Sequence, residues 1–395
     1  MQLVERHIFT NNNEYFEICS KAKRLYNFVL YHHRQAYRKE IQKFGEYEMT
    51  GILAEFDQID YRSLPAKTSQ GIVKQLYKNF QSFYSAMKDY KKNPNKYEKA
   101  PRPPYYKKKQ FIISFDYQQI KIKDGYVHFP KQSNLSPIKT RHENIKQIRI
   151  IPQATCHVVE IVYEKQIVNK NLNKDNFVSI DLGINNLIST SNNVGQRPFL
   201  INGKIIKSYN QRFNKTKANL QSLLPNKQFS SKQIERLTHK RNCWMDDKLH
   251  KISRFIINDC IKNDIGTIIV GYNKGWKQEI NIGSVNNQKF VQIPHRRLID
   301  KILYKATLVG IDVIEHEESY TSKCDALALE PICKHDKYLG KRVKRGLFQS
   351  STNKLINADV NGSINIARNV IRNNDSLNRL LNNGNVFLPY KINVF

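Results

Sequence analysis

The sequence lacks long apolar runs and has few cysteines for its length. No segment of the 395 residues approaches the ~18 continuous apolar residues that a membrane-spanning helix needs. The N-terminus, MQLVERHIFTNNNEYFEICSKAK, has no charged stretch followed by an apolar one, as a secretory signal would. Six cysteines are too sparse for a disulfide framework. We therefore expect a cytoplasmic protein with reduced thiols and no membrane partner.

Acidic residues are also scarce. The chain has 34 Asp and Glu against 65 Lys and Arg, which gives a formal net charge of +31 and a pI near 9.8. Solubility needs far less charge than this, and such an excess is typical of proteins that neutralise a phosphate backbone. An anionic membrane surface is the competing partner, but the basic residues are spread over the whole length instead of along one amphipathic segment. The composition therefore predicts a nucleic-acid partner.

The first half of the chain changes pattern twice. Hydrophobic content of 40% with 11% aromatics excludes global disorder and suits about two or three folded domains. Residues 1–15 alternate weakly, like an edge strand, before helical spacing begins and continues in a second helix after Pro65. A basic, proline-rich connector, KYEKAPRPPYYKKKQFIISF, is followed by short alternating strands. This order predicts a small β-barrel with a helical insertion.

From Phe177 onward, strands alternate with helical segments. The strand-like stretches are FVSIDLGI, GTIIVGYN and VGIDVIEHEESY, with a last short one in KLINADVNGSINIARNVI. Strands that alternate with helices are typical of an α/β domain with a largely parallel central sheet. The fold class that we predict for the whole chain is therefore α+β and multidomain.

Acidic residues in three separate segments could meet at one edge of that sheet. Asp181 lies among apolar residues in NFVSIDLGINNLIST, where an unpaired buried carboxylate costs several kcal/mol. Asp359 precedes a helix, where it could instead be a simple N-cap, and Glu315, Glu317 and Glu318 end the VGIDVI strand. Carboxylates gathered in this way predict a site for two Mg²⁺ ions, which would hydrolyse phosphodiesters.

The IDLG sequence also has an alternative interpretation, because it begins the phosphate loop of sugar-kinase and actin-like ATPases. Those proteins continue with Gly-Thr or Gly-Ser, whereas Ile184, Asn185 and Asn186 follow here. A net charge of +31 does not suit a nucleotide kinase either. We therefore prefer the nuclease interpretation.

Four ordered segments together resemble the TnpB family, the OrfB-type, transposon-encoded relatives of type V CRISPR effectors. They are FVSIDLGINNLIST, IIVGYNKGWKQEINIGSVNNQKFVQIPHRRLIDKI, GIDVIEHEESYTSKCD and KRVKRGLFQSSTNKLINADVNGSINIARNVI. The resemblance implies a nucleoid-associated, RNA-guided DNA endonuclease with a guide RNA from the transposon end and a duplex target beside a short motif. It also implies three domains: a β-barrel wedge (1–15 and 106–175), a helical recognition domain (16–105) and an RNase H-like RuvC nuclease domain (176–395).

The resemblance assigns catalytic, Mg²⁺-binding roles to Asp181 and Asp359, with Asn361 matching the asparagine after the last aspartate. Gly271 stands where the family usually has a glutamate. Some members of the superfamily supply that glutamate from the strand before the TS motif, so Glu318 is our first choice here. Glu317 is the second choice, as the substitute for Glu318, and Glu315 is the third. Because strand residues two apart share a face, Glu315 and Glu317 should point away from Glu318.

A second departure concerns zinc. Many relatives carry two Cys-x-x-Cys pairs in an insertion that corresponds to a segment near 321–350, whereas this chain offers only Cys324, Cys333 and His335 at irregular spacing. We therefore expect a degenerate zinc-finger-like insertion that holds no zinc and is stabilised by packing.

Two basic segments are candidates for nucleic-acid contacts. The first contains Lys274, Trp276, Lys277 and Gln278, in which the indole could stack on a base or simply pack in a core. The second contains Lys341, Arg342, Lys344 and Arg345, close in sequence to Asp359; the alternative is a solvated basic loop.

Two other functions stay open at this point. A nuclease-inactive, RNA-guided DNA-binding repressor is favoured by Gly271 and disfavoured by the intact Asp181 and Asp359. A strand-transfer transposase would use the same metal chemistry, but the large basic N-terminal half suits an RNA–DNA hybrid better than a pair of transposon ends.

Overall fold

The protein is described by a computed structural model that covers residues 1–38, 44–226, 228–273, 275, 292–371 and 374–394. It divides into two compact units, Met1–Lys165 and Gln166–Phe395, and each is described by itself. Across the ranges just given, no helix has both the length and the apolar character required to cross a bilayer. The finer division into wedge and recognition domains stays a prediction.

In its described residues, the N-terminal unit combines four α-helices with two small sheets. Its elements are β1 (Gln2–Phe9), α1 (Asn13–Arg38), α2 (Glu46–Glu55), α3 (Ile59–Arg62), α4 (Ala66–Lys92), β2 (Ile113–Asp116), β3 (Lys121–Lys123), β4 (Tyr126–His128), β5 (Ile138–Lys139), β6 (Ile145–Pro152) and β7 (His157–Glu164). Helix α1 buries an apolar stripe that includes Leu25 and Val29, and α4 contributes Ile72, Leu76 and Phe80 to the same core. The predicted helical spacing is therefore present.

The strands of this unit form an antiparallel sheet in the order β1-β7-β6-β2 and a second one in the order β3-β4-β5. Strand β1 pairs along its whole length with β7, from Gln2 opposite Glu164 to Phe9 opposite His157. Strand pairing leaves both sheets open in the described part of the chain, so the predicted barrel is not confirmed.

The C-terminal unit is built on one six-stranded sheet with helices on both faces. Its elements are β8 (Phe177–Leu182), β9 (Asn186–Asn192), β10 (Phe199–Asn202), α5 (Lys204–Ser222), α6 (Lys232–Lys262), β11 (Thr267–Gly271), α7 (His295–Thr307), β12 (Asp312–His316), β13 (Lys341–Lys344), β14 (Leu347–Gln349), β15 (Leu355–Asn357), α8 (Ala358–Val370), α9 (Asn374–Leu381) and β16 (Tyr390–Ile392). The strands of the large sheet follow the order β12-β11-β8-β9-β10-β16, and β13, β14 and β15 form a separate small sheet.

The large sheet is mixed instead of largely parallel. Strands β12, β11 and β8 are parallel, and β16 is parallel to β10, but β9 runs antiparallel to both β8 and β10. The reason is the short Gly183–Asn185 connection between β8 and β9. A parallel neighbour would need a crossover of about a dozen residues or more.

Side chains of β8 alternate between the two faces of the sheet, and this alternation decides where Asp181 points. Val178, Ile180 and Leu182 join the core that contains α6 and α7, whereas Phe177 joins the core that contains α8. Because successive strand residues face opposite sides, Asp181 shares the α8 face with Phe177.

Candidate active site

Asp181 and Gly271 lie side by side at the carboxyl edge of two parallel strands. Val270 of β11 pairs with Ile180 of β8, so Gly271 and Asp181 follow at the same end of the sheet. Gly271 also pairs with His316, the last residue of β12. This edge of the sheet therefore gathers the ends of three strands, as the sequence predicted.

Helix α8 brings Asp359 to this edge. The N-cap of the helix is Asn357, whose side chain accepts hydrogen bonds from the backbone N–H groups of Asp359 and Val360, so Asp359 is not the cap itself. One turn later, a Cβ atom added at Gly362 would lie only 2.9 Å from Asp181 Oδ2. The absence of a side chain at Gly362 therefore lets the helix approach Asp181 closely, with Asp359 and Gly362 on the same helix face.

Glu318 reaches the place, at Gly271, where the resemblance to the TnpB family leads us to expect a glutamate. A Cβ atom added at Gly271 would lie 2.6 Å from Glu318 Oε2 and 2.5 Å from Ile366 Cδ1. Glu318 is held there by its backbone, because its N–H donates to Asn273 Oδ1 at 2.8 Å and its carbonyl accepts from Thr321 Oγ1 at 2.9 Å. The space left by Gly271 is thus filled by the carboxylate of Glu318.

The other two glutamates of this segment point away. The side chain of Glu317 is exposed and accepts a hydrogen bond from the Ser319 hydroxyl at 2.9 Å. Glu315 is bound by both terminal nitrogens of Arg296, at 2.6 and 3.0 Å. Of the three candidates, Glu318 alone shares a site with Asp181.

The carboxylates of Glu318 and Asp359 are close enough to Asp181 to affect its pKa. Burial raises the pKa of Asp181 well above its usual value, and the nearby charges of Glu318 and Asp359 raise it further, while Arg342 opposes them. Burial raises the pKa of Glu318 from 4.5 to about 7, and its Oε2 atom is buried without a hydrogen-bond partner. Both acids therefore favour protonation in the metal-free protein.

This shift predicts a pH-dependent stability that Glu318→Gln should remove. Because the pKa of Glu318 is raised in the folded state, the folded protein binds more protons than the unfolded chain between pH 4.5 and about 7. The stabilisation is complete below pH 4.5 and is lost as the pH rises to about 7, by roughly 3 kcal/mol.

In EDTA, the Tm of the wild type should therefore fall by several °C more than that of Glu318→Gln between pH 5 and pH 8. Differential scanning calorimetry at the two pH values measures this. Equal falls for both proteins would contradict the pKa of Glu318.

The hairpin of β13 and β14 covers the site with positive charge. We name residues 341–349 the basic hairpin. Arg342 Nη2 lies 3.6 Å from Asp359 Oδ1, and Asn186 Nδ2 donates to Asp359 Oδ2 at 2.8 Å. With the Asn185 amide oxygen turned towards Arg345, this oxygen accepts from Arg345 Nη2 at 2.7 Å and Nε at 3.0 Å.

The remaining members of the predicted nucleic-acid set are divided between two regions. The side chains of Lys341 and Lys344 are exposed on the basic hairpin. Lys274, Trp276, Lys277 and Gln278 lie outside the described residues, so their predicted contacts stay predictions.

The donor set suits a hard divalent cation, although the side chains do not yet converge on a single point. Oxygen ligands on Asp181, Glu318 and Asp359 are the type that Mg²⁺ prefers. Within the described ranges, no three acidic, His or Cys side chains are close enough together to hold an ion directly. Glu318 Oε2 would have to rotate out of its buried position, where it has no hydrogen bond to lose.

The insertion after Glu318 is held together by buried carboxylates. Asp325 is fully buried and accepts hydrogen bonds from the backbone of Leu327, Ala328 and Ser351 and from the hydroxyls of Ser350 and Ser351. Glu330 is also buried and accepts from the backbone N–H groups of Asp325 and Leu339. The insertion therefore depends on polar bonds as well as on the packing that the sequence predicted.

The three zinc candidates are neighbours but differ in burial and in their contacts. Cys324 is buried and its Sγ lies 3.7 Å from the Cys333 carbonyl oxygen, whereas Cys333 is exposed and its Sγ lies 3.4 Å from His335 Nε2. The predicted absence of zinc stays a prediction, and a chelator can test it.

Asp325→Ala should lower the free energy of unfolding by roughly 3 kcal/mol or more, because it leaves several buried donors without an acceptor. Asp336→Ala, in the same insertion but exposed, is the matched control for Asp325→Ala and should be nearly neutral.

A chelator such as EDTA should leave the Tm of the wild type unchanged. A Tm that falls in EDTA and recovers with added zinc would contradict the prediction.

Two family models match segments of the chain. A family model described as a probable transposase, OrfB_IS605, matches residues 160–277, and a model of the Cas12f1-like TNB domain matches residues 295–366. The chain is thus similar to transposase-type proteins over one segment and to an RNA-guided effector domain over the next. The predicted resemblance to the TnpB family is confirmed by these matches.

Solved structures are similar at the level of the fold. A Cas12f1–sgRNA–target DNA complex is 16% identical, with a TM-score of 0.53 over 90% of this chain and 82% of that chain. The mini-RNA-guided endonuclease CRISPR-Cas_phi3 is 10% identical, with a TM-score of 0.48 over 93% and 92%. No curated protein matches the chain significantly. The first likeness supports a multidomain α+β fold shared with such effectors.

Proposed function

We propose that the protein is an RNA-guided DNA endonuclease of a transposable element, with a RuvC-type, RNase H-like active site. The observation that carries the proposal is the position of Glu318, which fills the space at Gly271 beside Asp181. A chain that had lost cleavage would have no need to keep three carboxylates crowded at a cost in stability.

The carboxylates of Asp181, Glu318 and Asp359 would hold two Mg²⁺ ions. Bound there, such ions would activate a water molecule and stabilise the leaving oxygen of a phosphodiester. The chain itself contributes orientation and proton release. Asn186 holds one oxygen of Asp359, and Asp181 and Glu318 give up protons when a cation binds, because their pKa values are raised in the metal-free protein.

The basic hairpin supports a role in holding the scissile strand. The guanidinium of Arg342 lies near Asp359, where it could neutralise a phosphate held at these carboxylates by bound cations. Lys341 and Lys344 extend the same positive surface into solvent, which suits contacts to flanking phosphates.

The partners that we propose are a guide RNA from the transposon end and a duplex DNA target beside a short motif, within the nucleoid. The family relationship and the net charge of +31 support both. The solved complex that shares this fold contains an sgRNA and target DNA by its title.

The test is plasmid cleavage by protein co-expressed with its downstream RNA. The plasmid library carries a guide-matched target beside a randomised flank. We expect Mg²⁺-dependent cuts beside one short motif. Target binding without cuts in the wild type would mean that the repressor alternative is correct.

A strand-transfer transposase is the second alternative, and the match to a probable transposase model is the observation in its favour. It would join transposon ends to target DNA without a co-purified RNA. Sequencing of the co-purified nucleic acid and of the reaction products separates this activity from guided hydrolysis.

A further inference from the structure

An extended segment of the N-terminal unit lies along helix α1. We name residues 104–111 the tyrosine–lysine strap. The N–H of Phe111 donates to the carbonyl of Cys19, Lys107 bonds to Asn27, and the carbonyl of Pro104 accepts from Arg34, so the strap runs antiparallel to the helix. The helix covers about 22 Å between Cys19 and Arg34, and the strap covers about 23 Å if fully extended. The strap is therefore nearly straight.

Backbone hydrogen bonds help to fix the strap on the helix. The Asn27 amide donates to the carbonyl oxygen of Lys107 at 3.0 Å and accepts from its N–H at 2.8 Å. Pro103 and Pro104 restrict the backbone dihedral angles of the chain just before these two hydrogen bonds. The conformation is thus set before any partner binds, which lowers the entropy cost of binding.

Large aromatic side chains remain exposed on this surface. Tyr105 is 58% exposed and Tyr106 is 42% exposed, and the guanidinium of Arg34 lies 5.9 Å and 5.1 Å from their ring centroids. On α1, Tyr31 is 49% exposed. Asn27, Tyr31 and Arg34 share a helix face by their spacing, so Tyr31 lies on the side of the strap.

The charge of the segment has one sign. Residues 99–111 contain five basic residues, Lys99, Arg102, Lys107, Lys108 and Lys109, and no acidic ones. Lys108 and Lys109 are exposed. A partner must therefore be anionic, and it must also offer flat apolar faces to the tyrosines.

We propose that the tyrosine–lysine strap binds single-stranded nucleic acid, with unpaired bases stacked on Tyr105 and Tyr106 and phosphates on Lys108 and Lys109. Single strands combine a polyanionic backbone with exposed base faces. A duplex hides its base faces inside the stack, and an acidic peptide lacks a regular series of planar rings. The strap belongs to the N-terminal unit and contains none of the three carboxylates, so the proposal holds whether or not the protein cleaves DNA.

The test is photo-crosslinking of the full-length protein in EDTA, which prevents metal-dependent cleavage. The probes are 12-nucleotide RNA and DNA strands with 5-iodouracil at every second position, and mass spectrometry maps the crosslinked peptides. We expect crosslinks at Tyr105 and Tyr106 with at least one of the two strands, and the strand that reacts identifies the natural ligand.

Matched variants separate stacking from charge. In fluorescence anisotropy with the reacting strand, Tyr105→Ala/Tyr106→Ala should weaken binding roughly 10-fold or more, and Tyr105→Phe/Tyr106→Phe should keep it. Lys108→Ala/Lys109→Ala should weaken binding to that strand and to an abasic strand of equal length by the same factor, and should reduce the salt dependence of both.

Crosslinks that map only to other peptides would overturn the proposal. So would an abasic strand that binds as tightly as the base-carrying one. Failure of guided cleavage in the plasmid assay would not affect either readout, because both are measured without metal.

Discussion

Asp181→Asn should abolish guided DNA cleavage, lowering the rate by roughly 10³-fold or more, while target binding stays unchanged. Asn has nearly the same shape as Asp but cannot supply the negatively charged oxygen ligand that a Mg²⁺ ion requires. The measurement is a cleavage time course on a matched plasmid, together with an electrophoretic mobility shift of the same target in Ca²⁺.

The same substitution should raise the stability of the metal-free protein. Burial and two neighbouring carboxylates disfavour the charged form of Asp181, so a neutral side chain removes that conflict. Asp175→Asn is the matched control, since Asp175 is exposed just before the same strand. Near-normal cleavage by Asp181→Asn, or loss of target binding, would contradict the assignment.

Glu318→Gln should be about as damaging as Asp181→Asn, whereas Glu317→Gln and Glu315→Gln should retain most of the cleavage. Glu318 lies against Gly271 within reach of Asp181, while Glu317 and Glu315 bond to Ser319 and Arg296 on the outside. Loss of cleavage in Glu317→Gln with normal cleavage in Glu318→Gln would transfer the role to Glu317.

Moving the glutamate back to the position usual in the family gives a sharper test. Gly271→Glu alone should impair both stability and cleavage, because its Cβ would lie 2.6 Å from Glu318 Oε2 and 2.5 Å from Ile366 Cδ1. Glu318→Ala removes the first conflict and leaves the Cδ1 and Cγ1 atoms of the buried Ile366, at 2.5 and 3.1 Å, to shift.

The double variant Gly271→Glu/Glu318→Ala should therefore cleave roughly 10-fold faster than Glu318→Ala, because it restores a carboxylate to the same space. A folded double variant that is no faster than Glu318→Ala would show that Glu318 does more than fill the family position.

The sequence pattern was sufficient for many of the elements but not for all of them or for their arrangement. Helical spacing predicted α1 and α4, and alternation predicted most strands of the N-terminal unit. The direction of β9 depends on the length of one turn, and sheet closure depends on pairings between distant segments. Local periodicity predicts neither the direction of a strand nor the closure of a sheet.

The candidate site, too, was predicted from the sequence only in part. An acid inside an apolar strand identified Asp181, because an unpaired buried charge is costly wherever the strand packs. Gly362 and Asn186 were missed, since a small or neutral residue gains a role only from the helix or carboxylate that approaches it. The signal for Gly362 was its spacing of one helical turn from Asp359, which places both residues on one face.

The pairing of β1 with β7 has a consequence for synthesis on the ribosome. Gln2 finds its partner, Glu164, only after almost the whole N-terminal unit has been translated, roughly ten to thirty seconds later at typical rates. Helices α1 to α4 also contact one another within residues 13–92, so they can begin to assemble during that interval. Strand β1 therefore stays unpaired during this interval. Its charged residues Glu5 and Arg6 protect it from pairing with another nascent chain.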